Sequence, residues 1–458
     1  MQQQKQLDWK GYHSTGLNYI LNIKHLETNY WVRVEGNKII GLWTNTYTTR
    51  QVHSLDDPRT KVIFHEIMSR LRLHGWKGFN QYNFSANRCE YFATKALSIV
   101  AKSLPKYSQK LDAVKLDFER CPDIIGDGLK NLGLQICKNL PYLKKVAISF
   151  SWCSLQDKGI IQFLKQTSYK LKRLSNLELD LNACYITDVG ARYLSSHLLK
   201  KIRALKQLKL SFGWNHQISK RGFESLFGSI GHNLIQLNSL ALNFQYCSLN
   251  DIALDTFGMK TKNRLKSLQS LQFNLNSCKS ITSKGFGNLG LHLGQNFKQL
   301  QSLILICREC REISDQGIAL FCEGIRKNLP PLRKLSLDFE KCGVSNNGLE
   351  ELGSYFNHSE LQEISLNFTY SLKLTDQGLK NLIQRVLIED LRVLDLKFTG
   401  CVLLTSQPLK DWLNDTIEKF KSLKELRMDF FQCPLIHQDI KLSLQNSLKE
   451  FIPVCKIR

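Results

Sequence analysis

The sequence predicts an α/β solenoid with a parallel inner sheet and outer helices, preceded by an α+β segment over residues 1–110. Three observations predict it. A leucine-led pattern recurs at a near-constant period, the apolar residues inside it alternate as in a half-buried strand, and a helix-start signal follows each strand.

The opening leucines are Leu111, Leu143, Leu174, Leu205, Leu237, Leu268, Leu300, Leu332, Leu361, Leu391 and Leu423, spaced 29 to 32 residues apart. Each opens L-x-x-L-x-L-x-F-x-x-C, as in Leu332-Arg-Lys-Leu-Ser-Leu-Asp-Phe-Glu-Lys-Cys342. Apolar residues at the fourth, sixth and eighth places have the period of a strand with one buried face. A cap-and-glycine signature comes next: Ile186-Thr-Asp188-Val-Gly190, Ile313-Ser-Asp315-Gln-Gly317 and Leu374-Thr-Asp376-Gln-Gly378. Ser, Thr or Asp before an apolar run can bond the free N–H groups of a first helical turn, so a helix follows each strand and the strands run parallel. Residues 111–458 are thus expected to form about eleven repeats with a C-terminal cap.

The cysteines belong to the same pattern. Of 14, nine (Cys121, Cys153, Cys184, Cys247, Cys278, Cys310, Cys342, Cys401 and Cys433) fall ten residues after an opening leucine. Equivalent slots cannot pair neatly with one another, so a column of buried free thiols is expected, in a reducing compartment. Asn215 and Ser371 take the cysteine slot in two repeats, and Cys307 takes a phenylalanine slot. This pattern resembles leucine-rich repeat proteins of the cysteine-containing and ribonuclease-inhibitor-like subclasses, in the style of ciliate repeat proteins. The resemblance covers about three quarters of the chain. It implies a horseshoe with a concave strand face, and is nearly silent on function.

Residues 1–110 lie outside the period and hold four of seven tryptophans and five of eleven histidines. Tyr30–Val34 and Ile39–Trp43 read as a hairpin around Gly36-Asn37. Amphipathic helices are expected near 60–73 and 89–104. The segment is either a cap on the first repeat or a separate recognition module.

The formal charge is +23, from 63 Lys and Arg against 40 Asp and Glu. Yet the strand places expected to face the concave side carry seven cations and ten anions. Asp117, Asp180, Asn243, Asn274, Asp338, Asn367 and Asp429 form a ladder of acceptors at the seventh place, a candidate protein-binding surface. The cationic excess gathers at the starts of strands, with Lys172, Arg173, Lys200 and Lys201 prominent. It is either a set of solvated helix caps or a basic rim that meets phosphate, an anionic membrane or an acidic protein. Trp152, Trp214, Tyr246 and Tyr370 occupy the tenth place, near the strand exit. They either anchor a partner or pack into the descending loops.

Motifs with chemical associations lack their contexts. Gly285-Phe-Gly287-Asn-Leu-Gly290 spells a dinucleotide fingerprint but coincides with the start of a repeat helix. Cys307-x-x-Cys310 has zinc spacing without a second pair, and His65-Glu66 lacks a second histidine. No catalytic constellation, metal, cofactor or small-molecule substrate is expected. No apolar run reaches the roughly 18 residues of a membrane span, and the N-terminal residues carry no apolar signal core. The expectation is an intracellular, non-catalytic scaffold or adaptor within a larger assembly, in the cytoplasm first, with nucleus or mitochondrion open. Two alternatives stand beside it: a nucleic-acid-associated subunit docking through the basic rim and the aromatic segment around Trp76, and a small-GTPase regulator by fold analogy alone.

Overall fold

The computed structural model describes residues 18–25, 28–35, 38–44, 81–85, 97–98, 101 and 111–458, apart from 122, 123, 125, 141, 168–170, 329–331, 358 and 417–421. The chain divides into two compact units, Met1–Asn215 and His216–Arg458.

In the first unit, strands β1 (Asn18–His25), β2 (Thr28–Glu35) and β3 (Lys38–Thr44) form an antiparallel sheet. Glu35 pairs with Lys38 across the expected hairpin, and β1 is an addition the sequence pattern did not reveal. The helix expected near 60–73 lies outside the described residues. Of 89–104, only Leu97, Ser98 and Ala101 are described, as helical, with Leu97 and Ala101 buried. Strand β4 (Gln81–Ser85) pairs parallel with β5 (Ala113–Asp117), so parallel pairing begins inside the segment that the period leaves out. Strands β6 (Lys145–Ser149), β7 (Asn176–Asp180) and β8 (Gln207–Ser211) continue it in unbroken register.

The second unit carries β9 (Ser239–Asn243), β10 (Ser270–Asn274), β11 (Ser302–Ile306), β12 (Lys334–Asp338), β13 (Glu363–Asn367), β14 (Val393–Lys397), β15 (Glu425–Asp429) and β16 (Val454–Ile457). All pair parallel with their neighbours, and β16 extends the sheet beyond the last leucine-led repeat. In both units each repeat strand spans the third to seventh places, and helices such as Asp127–Asn139 and Asp315–Asn328 follow the strands. The fold is a leucine-rich repeat solenoid.

Apolar residues at the first, fourth, sixth and eighth places are buried, as the alternation requires. The eighth-place phenylalanines stack into a spine, with Phe339–Phe368, Phe368–Phe398 and Phe398–Phe430 centroids 6.1, 5.8 and 5.7 Å apart.

After the spine the backbone turns in one way throughout. The tenth place has positive φ in all eleven repeats, from 51° at Ala183 to 70° at Gly400. The eleventh-place N–H bonds back to the eighth-place carbonyl, as in Cys153 to Phe150 at 3.0 Å. A positive φ at the third residue of such a turn, with none at the second, is the type II geometry. Only Gly400 among these residues is a glycine. The others hold the left-handed conformation because the ladder continues through the turn: Arg120 N–H reaches the Ser151 carbonyl at 2.8 Å and Trp152 N–H the Asn182 carbonyl at 2.8 Å.

The thiol column sits beneath this turn. Cys153, Cys184, Cys278, Cys310, Cys342, Cys401 and Cys433 each donate to the eighth-place carbonyl of the preceding repeat, at 2.9 to 3.2 Å. Burial pushes the thiols of Cys153, Cys310 and Cys401 up to about 12, so they stay protonated donors. The thirteen described cysteines form no disulfide. Asn215 serves the slot more fully: its amide nitrogen donates to the Leu181 carbonyl at 2.8 Å, and its oxygen accepts from Cys184 N and Ile186 N at 3.2 and 2.8 Å. Ser371, also buried, has a hydroxyl with no partner among the described residues.

The cap signature works between repeats as well as within them. Thr187 Oγ1 accepts from Val189 N at 3.1 Å, the expected local cap. The aspartate in the first turn of the preceding helix then grips that cap: Asp157 accepts from Thr187 N at 2.9 Å, the Thr187 hydroxyl at 2.5 Å and Gly190 N at 3.0 Å. Asp251 on Thr282, Asp315 on Ser345 and Asp376 on Thr405 repeat the arrangement. It explains the glycine three residues past the cap, because a Cβ on Gly348 would stand 2.6 Å from Asp315 Oδ1.

Candidate protein-binding surface

Three surfaces were marked by the sequence: the open strand face, the tenth-place aromatics and the basic residues at strand starts. The structure gives each a distinct character.

On the open face, the seventh-place ladder has a structural task. Asp117, Asp180, Asn243, Asn274, Asp338, Asn367 and Asp429 each accept, through Oδ1, the backbone N–H two residues on, at 3.0 to 3.2 Å. This is the Asx turn, and it starts the descending loop. One oxygen of each residue is thereby engaged, and Asp338 is engaged through both, its Oδ2 accepting from Arg308 and its Oδ1 also from the Asn367 amide.

Most cations of this face are answered by adjacent carboxylates. Lys209 pairs with Glu178 at 2.5 Å, Arg308 with Asp338 at 2.8 Å and Glu340 at 3.6 Å, and Lys334 with Glu363 at 2.7 Å. Lys397 pairs with Asp395 at 3.9 Å, and Arg427 pairs with Glu425. These partly exposed pairs fix register and polarity and add little stability each. Burial, opposed by the Asn182 N–H and Lys209 and reinforced by Glu119 and Glu178, raises the Asp180 carboxyl above the ordinary range.

At the strand exit the aromatics face solvent. Trp152 is 47% exposed, Trp214 36% and Tyr370 39%, while Tyr246 is half-buried. The first three are therefore not packed away inside the descending loops. The rings are nonetheless ordered by their neighbours. Trp152 reaches across the small Ala183 to Trp214, with centroids 6.0 Å apart. Tyr370 lies against Gly400 and donates its hydroxyl to Gln432 at 2.8 Å, again crossing one repeat to reach the next. Cations flank both: Arg120 stands 5.9 Å from the Trp152 centroid and Lys341 5.6 Å from that of Tyr370. An aromatic followed one repeat later by Ala or Gly was the legible signal for this bridging.

At the strand starts, Lys172, Arg173 and Lys200 are exposed and Lys201 is half-buried. Lys172 and Arg173 sit in the turn before β7, and Lys200 ends the π-helical turn Ser195–Leu199, where a cation complements the helix dipole. Arg173 stacks 5.0 Å over Tyr142, so part of the rim packs as well as charges the surface.

Among the described residues no group of three or more His, Cys, Asp or Glu is placed to hold a metal ion. Gly285, Gly287 and Gly290 lie inside the helix Ser283–Asn296, where Gly287 meets Leu320 and Gly290 meets the Phe321 backbone; they permit close helix packing and form no phosphate loop. No helix among the described residues is long and apolar enough to cross a membrane.

No protein-family model matches the chain, and no curated protein matches it. Among solved structures, an internalin of Listeria monocytogenes is 14% identical, with a TM-score of 0.40 over 84% of this chain and 86% of that one. The leucine-rich repeat-containing protein LegL7 of Legionella pneumophila is 14% identical, with a TM-score of 0.39 over 70% of this chain and 93% of that one. A Bacteroides fragilis protein is 8% identical, with a TM-score of 0.27 over 84% and 94%. Strand register and repeat pattern give this chain the leucine-rich repeat solenoid fold.

Proposed function

We propose that the chain is a non-catalytic scaffold or adaptor that binds protein through the exit edge of its strands and the adjoining open face, as a subunit of a larger assembly. The observation that carries this reading is the set of exposed, neighbour-ordered aromatics at the left-handed tenth place, Trp152 with Trp214 above all. Rigid aromatic side chains lose little entropy on binding and are frequent interface anchors. The ion-paired open face beside them supplies a polar rim rather than a competing hydrophobic core. Free buried thiols in the turn column fit both the cysteine-containing repeat subclass and a reducing, intracellular setting. The test is affinity capture from native extract with the wild-type chain and with Trp152→Ala/Trp214→Ala. The reading expects a defined set of proteins captured by the first and lost with the second. Identical capture by both overturns the assignment of this edge.

A second reading draws on the exposed cations Lys172, Arg173 and Lys200. It makes the chain a nucleic-acid-associated subunit, and expects RNA binding that falls steeply with salt and is lost on charge reversal at those three residues.

A further inference from the structure

Six large apolar side chains stand 39 to 60% exposed in the descending turns of three consecutive repeats: Tyr370, Leu372, Val402, Leu403, Phe431 and Leu435. The register makes them neighbours. Tyr370 N–H bonds to the Thr399 carbonyl and Gly400 N–H to the Phe431 carbonyl, both at 2.8 Å. Equivalent places therefore lie one strand spacing apart, about 4.8 Å. Leu372 and Val402 share the twelfth place, and Leu403 and Leu435 the thirteenth. The Tyr370 ring, resting on Gly400 and bonded to Gln432, ties the three turns together. Large exposed apolar side chains gathered on adjacent turns in this way are the mark of an interaction site.

The charges around the patch select its occupant. Arg458 stacks 4.2 Å over Phe431, Lys341 stands 5.6 Å from the Tyr370 centroid, and Lys373 follows Leu372 on an exposed turn. Lys373 and Arg458 have no carboxylate within ion-pair distance among the described residues. Of the carboxylates nearby, Glu309 pairs with Lys341 at 3.3 Å, Glu340 with Arg308 and Asp395 with Lys397, while Asp429 accepts the Phe431 N–H and keeps its charge. Among the described residues, two cations without an ion-pair partner, Lys373 and Arg458, stand against the one such carboxylate, Asp429, so the border is cationic on balance. A second copy of the chain would bring another +23 against it, which opposes self-association.

We propose that the turns of these three repeats bind a segment of a partner protein that combines apolar side chains with carboxylates. This rests on the protein-binding reading above and narrows it to one place and one partner chemistry. The apolar side chains would cover the leucine and aromatic surface while the carboxylates meet Lys373 and Arg458.

The test uses the full chain as bait for a displayed library of random twelve-residue peptides. Leu372→Ser/Leu403→Ser/Leu435→Ser and Lys373→Glu/Arg458→Glu serve as variants, with circular dichroism confirming that both fold. The proposal expects wild type to enrich peptides bearing Leu or Phe with Asp or Glu. Synthetic copies should bind each variant at least about tenfold more weakly. Enriched peptides that bind all three chains alike overturn the site and leave the protein-binding reading standing. Enrichment of Lys- and Arg-bearing peptides overturns the partner chemistry. If no peptide is enriched and the chain instead sediments with phosphatidylserine vesicles in a way the leucine variant loses, the surface is a lipid one and both readings fall. Dimerisation abolished by the leucine variant, again without peptide enrichment, assigns the patch to a second copy and overturns the proposal.

Discussion

Asp157 Oδ1 accepts the Gly190 N–H at 3.0 Å and fills the space that a side chain at residue 190 would need. One carboxylate thereby satisfies the first turn of the next helix, holds its cap and fixes the residue type three positions on. Asp315 likewise holds the Ser345 N–H and hydroxyl and stands where a Cβ on Gly348 would lie. Because each repeat mainly contacts its neighbours, such links determine how firmly one unit stacks on the next.

Asp157→Ala should destabilise the first unit by about 1–3 kcal/mol, since it strips the acceptor from two backbone N–H groups and a hydroxyl. Gly190→Ala should cost a similar amount, about 1–3 kcal/mol, through overpacking. The double substitution should cost less than the two together, because removal of the carboxylate makes room for the methyl group. Guanidinium unfolding of the four chains completes the cycle. Additive costs would show that the two residues do not share this space.

Ser371→Cys should raise stability by about 0.5–1.5 kcal/mol. The thiol would reach the eighth-place carbonyl of the preceding repeat, as in seven other repeats, whereas the present hydroxyl is buried without a partner. Ser371→Ala should be neutral or mildly stabilising for the same reason. Thermal unfolding ranks the three, and a less stable cysteine variant would contradict the geometry.

Asp180→Asn should be more stable than wild type at neutral pH. Its amide oxygen can still accept the Asn182 N–H, as Asn243, Asn274 and Asn367 do in their own repeats. The sign follows from the raised carboxyl: the fold disfavours the ionised form, so the penalty is complete above the folded-state pKa. It shrinks as pH falls through that pKa and vanishes below the ordinary aspartate value of about 3.9. Denaturation midpoints of both chains against pH should therefore converge on acidification. A gap that widens in acid would reverse the assignment.

The column thiols should resist modification in the folded chain. Cys153, Cys310 and Cys401 are buried and held protonated up to about 12, so at pH 8 iodoacetamide should label them only after denaturant is added. Labelling followed by peptide mass spectrometry reads each site separately. Rapid native labelling of this column would mean that the turns open.

Much of this was legible in the sequence because it repeats within one unit. The leucine places, the Phe339–Phe368–Phe398–Phe430 spine and the cysteine slot each recur at the same offset, and a period of about 31 residues exposes them directly. What lies between units was harder to read. Asp157 sits in one repeat and Thr187 and Gly190 in the next, so the signature resembles a local cap until the helices are stacked. The left-handed tenth place was hidden because Arg120, Trp152, Glu309 and Lys341 occupy it where glycine would have announced it. The seventh-place acceptors were visible as a ladder, but their bond to the second N–H onward depends on the turn that follows, which alternation alone does not specify.

The central claim is that partner protein is engaged at the strand-exit edge, and site-specific photocross-linking in native extract tests it most directly. A photoreactive residue is placed at Trp152 or Leu403 on that edge, and at the still more exposed Met259 on a helix as reference. The account predicts discrete protein adducts from positions 152 and 403 and none from 259. Adducts from Met259 alone, or equal adducts from all three, would contradict it.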